Sequence, residues 1–138
     1  MPGVIIDTSV WVDYLRGTRN AQTDAVDRLL DTGRATICGA IEAELVAGLK
    51  NRTEREELSS LLEGCDYLEA DRADWHRAGE LAGQLRDRGR TIPLSDLIIA
   101  SLALSHDRQL LTADNHFKHI PDLRHFTAQS RRNQPREV

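Results

Sequence analysis

Asp7, Glu44, Asp96 and Asp114 are the residues whose types and positions could do chemistry, each beside an apolar run or at a helix start. Asp7 ends the run Val4-Ile5-Ile6, and Asp114 ends Gln109-Leu110-Leu111-Thr112-Ala113. Short apolar runs of this kind read as buried parallel strands. Ligands of open parallel sheets bind beyond the carboxyl ends of the strands. The two aspartates are therefore expected at one edge, although more than a hundred residues separate them. Carboxylates gathered in one place repel one another unless protons or cations neutralise them. The pattern points to a divalent metal site and metal-assisted chemistry.

Each acid also has a plainer role. Asp7 could cap a helix, but Thr8 and Ser9 could do so equally well, and an acid buried unpaired at a strand end is costly. Glu42 and Glu44, two apart on a helix, point in different directions, so they are rivals for one place in a ligand set. Glu42 falls in the first turn, where a glutamate satisfies backbone donors, whereas Glu44 is flanked by Ala43, Ala47 and Gly48. Periodicity does not choose between them. Asp96 follows Pro93-Leu94-Ser95, where a helix dipole alone favours an acid. Asp114 could be a turn residue in Asp114-Asn115. Only as a group do these acids indicate a site.

The elements that must position them alternate between strand and helix. After Val4–Asp7, Ser9–Leu15 reads as a helix with Ser9 as N-cap and Gly17 as stop. Thr23–Asp31 carries a helical stripe, Ala35–Cys38 is a strand, and Ala40–Lys50 is a helix. Thr53 and Glu56 have capping-box spacing for a helix closing at Gly64, and Cys65–Glu69 alternates as a strand. Asp71–Arg88 is the longest helix; Ser95–Ser105, apolar nearly all round, should be central and buried. Gln109–Ala113 is the last strand. Such alternation implies an α/β sandwich with a mostly parallel sheet.

At 138 residues, with 40% hydrophobic and 29% charged residues, the chain suits one soluble domain, taken as residues 1–130, followed by a polar basic tail at 131–138. No apolar stretch approaches the roughly 18 residues of a membrane span, and no signal-peptide pattern precedes the first strand. Cys38 and Cys65 read as buried thiols in a reducing, cytoplasmic setting. The five histidines make no zinc pattern. The net charge of −4 argues against indiscriminate nucleic-acid binding, yet Arg86, Arg88 and Arg90, and Arg131, Arg132 and Arg136, form local basic surfaces. P-loop, G-x-G-x-x-G and G-x-S-x-G motifs are absent. A phosphatase that uses a strand-end Asp wants a second Asp two residues on, where this chain has Ser9, and a receiver wants a late lysine, for which Lys118 is poorly placed.

Val4-Ile5-Ile6-Asp7-Thr8-Ser9, Ala43-Glu44-Leu45 before Gly48, Ser95-Asp96-Leu97-Ile98-Ile99-Ala100 and Leu111-Thr112-Ala113-Asp114-Asn115-His116-Phe117 resemble, in order and spacing, the PIN-domain nucleases. The resemblance is strongest to the VapC-type toxins of bacterial toxin–antitoxin pairs and runs through the chain up to its tail. It implies a PIN-like α/β/α sandwich with a mostly parallel central sheet of four to five strands. It also selects Glu44 over Glu42, making Asp7, Glu44, Asp96 and Asp114 the catalytic acids, with Asp7, Asp96 and Asp114 on the metal. Many relatives carry Asp directly before the Phe of the last motif, where this chain has His116. His116 is thereby given a supporting place, holding a water or a phosphate, rather than a ligand's. Thr8 and Ser9 are expected to steady a ligand carboxylate.

The implied activity is Mg²⁺- or Mn²⁺-dependent hydrolysis of RNA, leaving a 5′-phosphate and a 3′-hydroxyl, with Glu44 orienting or deprotonating the water. Arg86, Arg88 and Arg90 could line the approach of the RNA backbone. Trp11 could stack a base, though core or interface packing suits it better. The implied partners are a cognate antitoxin, for which Trp11, Val12 and Leu15 offer apolar contacts, and a second copy in a homodimer. The rival expectation is a PIN-like module that binds RNA or protein without cutting.

Overall fold

The structure is a computed structural model and describes residues 2–128. The expected basic tail, with Arg131, Arg132 and Arg136, lies outside the described residues. The strands are β1 (Val4–Ile6), β2 (Ala35–Cys38), β3 (Asp66–Leu68) and β4 (Gln109–Leu111), forming one sheet in the order β3-β2-β1-β4. Every pairing is parallel: Val4 sits opposite Ala35 on one side and Gln109 on the other, and Thr36 sits opposite Asp66. The helices are α1 (Thr8–Leu15), α2 (Ala21–Asp31), α3 (Gly39–Gly48), α4 (Arg52–Glu63), α5 (Arg72–Asp87) and α6 (Leu94–Ser105), with a short 3₁₀ helix at Asn115–His119. A single parallel bridge between Leu110 and His125 continues the sheet past β4.

This is the helix-flanked parallel sheet expected from the alternation of elements. Both faces of β1 and β2 are covered, so every residue of these strands is buried and their sequences read as continuous apolar runs rather than alternating ones. α6 supplies the centre of the core, with Leu97, Ile98, Ile99, Ala100, Leu102 and Ala103 all at most 1% exposed. Such burial on all sides is why its sequence lacks an apolar stripe.

Three local expectations are corrected. Asp7, not Ser9, stands at the N-cap of α1, and its side chain caps nothing there. The strand delivers Asp7 directly into the helix, and Ser9 turns its hydroxyl back onto the Asp7 carboxylate. Asn51 rather than Thr53 caps α4, its Oδ1 accepting from the backbone N–H of Glu54 at 2.9 Å. Asn is the stronger cap, and Glu54 completes it by accepting from the Lys50 N–H. Trp11 is not an apolar contact for a partner: it is fully buried, its ring edge-on to Tyr14 with centroids 6.0 Å apart, in keeping with the core packing expected to suit it better than base stacking. Both cysteines are free; Cys38 is buried, whereas Cys65 is half-buried.

The connectivity creates one special place. From β1 the chain crosses to β2 and then β3, and it returns across the sheet to add β4 on the far side of β1. The order therefore reverses between β1 and β4, and the crevice beyond their carboxyl ends is the topological switch point.

Candidate acidic metal centre at the switch point

Asp7 leaves β1 at this crevice and is only 4% exposed. Two hydroxyls steady it: Ser9 Oγ donates to its Oδ2 at 2.7 Å and Thr112 Oγ1 at 2.8 Å. Its backbone N–H donates to Leu111 O at 2.9 Å, tying the ends of β1 and β4 together. Thr112 Oγ1 also accepts from the Asp114 N–H at 2.9 Å, and Ser9 Oγ accepts from the Ala113 N–H at 3.2 Å. One hydroxyl mesh thus sets both strand-end aspartates.

Asp114 caps the 3₁₀ helix, its Oδ1 accepting from the His116 N–H at 2.9 Å. The turn brings the His116 ring back over the acids, with Nδ1 3.3 Å from Asp114 Oδ1 and 3.4 Å from Asp96 Oδ2. Asp96 lies in the first turn of α6, where the helix dipole favours its charge, and its side chain is 13% exposed. Ligand atoms of Asp96, Asp114 and His116 all fall within 4.8 Å of one another.

Glu44 approaches from α3. Thr8 Oγ1 donates to its Oε1 at 3.2 Å, and the charges of Asp7 and Asp96 reach it. Burial pushes the carboxyl groups of both Glu44 and Asp96 above their ordinary range. Thr8 opposes this at Glu44 and His116 opposes it at Asp96, while Asp7 repels both, Asp96 repels Glu44, and Asp114 repels Asp96. Four acids from four separate segments therefore share one field. Glu42 does not join them; its charge acts on Tyr67, at the β3 side of α3.

The arginines are less tightly placed. Arg86, Arg88 and Arg90 are all exposed at or just beyond the end of α5. Arg90 Nη1 lies 3.0 Å from His119 Nε2, which ties it to the 3₁₀ helix carrying His116. Among the described residues, no ion pair links Arg86 or Arg88 to the acids. Sequence reasoning passed over Thr112 as a site residue. A hydroxyl two positions before a strand-end Asp was the available signal.

With this geometry in view, the PIN domain family model matches residues 4–123, nearly the full described length. The chain belongs to the PIN-domain family. This PIN domain is 31% identical over 131 residues to the VapC ribonuclease Mb1587 of Mycobacterium bovis, covering 92% of the chain and 98% of that protein. It matches ribonuclease VapC11 of Mycobacterium tuberculosis to the same extent. Among solved structures, its fold matches VapBC2 from Rickettsia felis bound to a promoter DNA fragment, with TM-score 0.77, 22% identity, and coverage of 91% of this chain and 98% of that one. VapBC-1 from nontypeable Haemophilus influenzae gives TM-score 0.74 and 25% identity, over 89% of this chain and 96% of that one.

Proposed function

We propose that this PIN domain is a metal-dependent endoribonuclease toxin of the VapC kind, hydrolysing RNA phosphodiesters and held inactive by a cognate antitoxin. The convergence of Asp7, Glu44, Asp96 and Asp114 at the switch point carries this reading, supported by similarity to proteins named VapC ribonucleases.

The donor set fits a hard divalent cation. Burial, with repulsion from neighbouring acids, already disfavours ionised Glu44 and Asp96, and a bound cation would reverse that penalty. Both hydroxyl bonds to Asp7 fall on Oδ2, leaving Oδ1 for an ion. Asp7, Asp96 and Asp114 would hold Mg²⁺ or Mn²⁺. When bound, such a cation lowers the pKa of a water it holds and stabilises charge on a phosphate oxygen. Glu44, kept in place by Thr8, orients the attacking water and takes its proton at a carboxylate oxygen. Ser9 and Thr112 fix Asp7, so the acids do not rearrange as charge develops. Arg90, with Arg86 and Arg88 farther out, guides the RNA backbone.

A groove of about 330 Å³ beside Glu44, lined by Val12, Leu15, Leu45, Leu49 and Lys50, is the seat we assign to the antitoxin. The similar structures named VapBC and a toxin–antitoxin complex support such a partner. Val46, Tyr67, Trp75 and Leu94 are large apolar side chains left exposed, which supports a further protein contact such as a homodimer. No helix among the described residues is long and apolar enough to cross a membrane, and we place the protein in the cytoplasm.

The test is cleavage of total tRNA and ribosomal RNA by the purified chain with Mg²⁺ or Mn²⁺ and with chelator, beside Asp7→Asn and Asp96→Asn. Discrete fragments that need metal and vanish in both variants are expected. RNA that binds equally to wild type and Asp96→Asn but stays intact would replace the nuclease with a binding module.

A further inference from the structure

We infer that His116 is itself a metal ligand, making this centre a mixed nitrogen–oxygen site that prefers Mn²⁺ to Mg²⁺. The inference rests on the metal reading above and departs from the supporting place that the resemblance gives position 116.

Three observations carry it. His116 Nδ1 lies 3.3 Å from Asp114 Oδ1 and 3.4 Å from Asp96 Oδ2, so it occupies the mouth between two proposed ligands. Donor atoms at right angles around one ion with bonds of roughly 2.1 Å lie about 3 Å apart. The two separations from His116 need only a small contraction to suit an ion, and all three ligand atoms lie within 4.8 Å of one another. Second, the backbone that carries the ring is anchored. The His116 backbone N–H is bonded to Asp114 Oδ1, and the next residue, Phe117, is fully buried and anchors the short helix. Third, the ring remains about half exposed, 53% for the side chain, so the third donor faces the side from which a cation enters.

The competing role is a charged imidazolium that neutralises the acids in place of an ion. A ring in that role repels a cation; a ligating ring is neutral and offers its Nδ1 lone pair. The two differ in the ion they select. Mg²⁺ demands oxygen donors and near-ideal octahedral geometry, whereas first-row transition ions accept imidazole more readily. An imidazole in the set therefore shifts preference toward Mn²⁺.

The experiment uses the full chain, stripped of metal and loaded with less than one equivalent of Mn²⁺, in the absence of RNA. Pulsed electron paramagnetic resonance reads whether a nitrogen nucleus is coupled to the ion. Calorimetry measures Mn²⁺ and Mg²⁺ affinity for wild type, His116→Gln, His116→Asp and, as a control on the same short helix, His119→Gln. Circular dichroism checks that each variant folds, which the exposure of His116 favours. Nitrogen coupling is expected in wild type and His119→Gln and absent from both His116 variants. Mn²⁺ affinity should fall about tenfold or more in His116→Gln. In His116→Asp the ratio of Mn²⁺ to Mg²⁺ affinity should narrow.

Mn²⁺ bound by wild type without nitrogen coupling, or equal affinity in folded His116→Gln, overturns the inference. Metal-dependent RNA cleavage in that case leaves the nuclease reading standing. Failure of wild type to bind either ion overturns both.

Discussion

Thr112, 105 residues downstream of Asp7, donates its hydroxyl to Asp7 Oδ2 at 2.8 Å. Thr112 Oγ1 in turn accepts from the Asp114 N–H at 2.9 Å, so one small side chain joins the ends of β1 and β4 and sets two acids at once. Thr112→Val keeps the shape and removes both bonds. It should cost about 1–3 kcal/mol, since one of the bonds is to a carboxylate. RNA cleavage should fall with it. Urea unfolding and cleavage assays on the same preparation check both effects, and unchanged stability would show that the bond contributes nothing net.

Burial of Glu44 and Asp96, reinforced by repulsion from neighbouring acids, gives a pH-dependent signature. The raised carboxyl groups of Glu44 and Asp96 hold their protons longer folded than unfolded. The folded state therefore loses stability as pH rises through the window just above the ordinary carboxylate range, and the cost persists at neutral pH. Asp96→Asn removes one of the charges. Its metal-free form should melt roughly 2–5 °C higher than wild type near pH 7, with the gap closing as pH falls toward 4. Mn²⁺ should raise the melting temperature of wild type more than that of the variant. A variant that melts lower at pH 7 would mean that the Asp96 charge is stabilising.

Glu44 and Glu42 make a matched pair of tests two residues apart. Glu44→Gln keeps the Thr8 contact available but removes the proton acceptor, and cleavage should drop by about 10²–10⁴. Glu42→Gln, on the side of α3 facing Tyr67, should leave cleavage near the wild-type rate. Equal losses would make α3 a scaffold rather than the bearer of a specific group.

How much of this was legible in the sequence divides along physical lines. Strand–helix alternation, the apolar α6 and the strand-end aspartates are local patterns, and they gave the parallel sheet and placed Asp7 and Asp114 at one edge. The choice between Glu42 and Glu44 depended on which way α3 rolls against α6 and β1, which the evenly apolar α3 does not encode; the family resemblance supplied it. The N-cap errors arose because several capping residues were adjacent, as at Asp7-Thr8-Ser9 and Asn51-Arg52-Thr53, and tertiary pull decided among them. The Thr112 bond to Asp7 and the reach of His116 to Asp96 were hidden because only the tertiary fold makes those partners neighbours.

Arg90 offers a test of how substrate is gripped. Its contact with His119 ties the guanidinium to the 3₁₀ helix that carries His116. Arg90→Ala should weaken RNA binding across sequences and reduce the salt dependence by about 0.7–1 in log–log slope. Fluorescence anisotropy with a labelled single-stranded RNA at several salt concentrations reads both. An unchanged slope would remove Arg90 from the phosphate path.

The thiols make the last prediction. Burial pushes the Cys65 thiol up to about 11 and raises that of Cys38 as well, with Glu44 and Asp7 adding to the latter. At pH 8 neither should react with iodoacetamide at the rate of a free thiol, and denaturant should release both. Mass spectrometry after timed alkylation measures this. Fast labelling of Cys38 in the native protein would show that the end of β2 opens.

The strand order also bears on when the protein becomes capable of harm as it is made. β1, at the inside of the sheet, is synthesised some hundred residues before β4, with Thr112, Asp114 and His116 behind it. Domains fold as their segments emerge, N-terminal parts first. Until β4 docks, Asp7 lacks the Thr112 hydroxyl and has no Asp114 beside it, so a growing chain carries an unfinished centre. The four acids proposed above are therefore brought together only once β4 has joined the sheet, so that arrangement depends on nearly the whole described domain being in place.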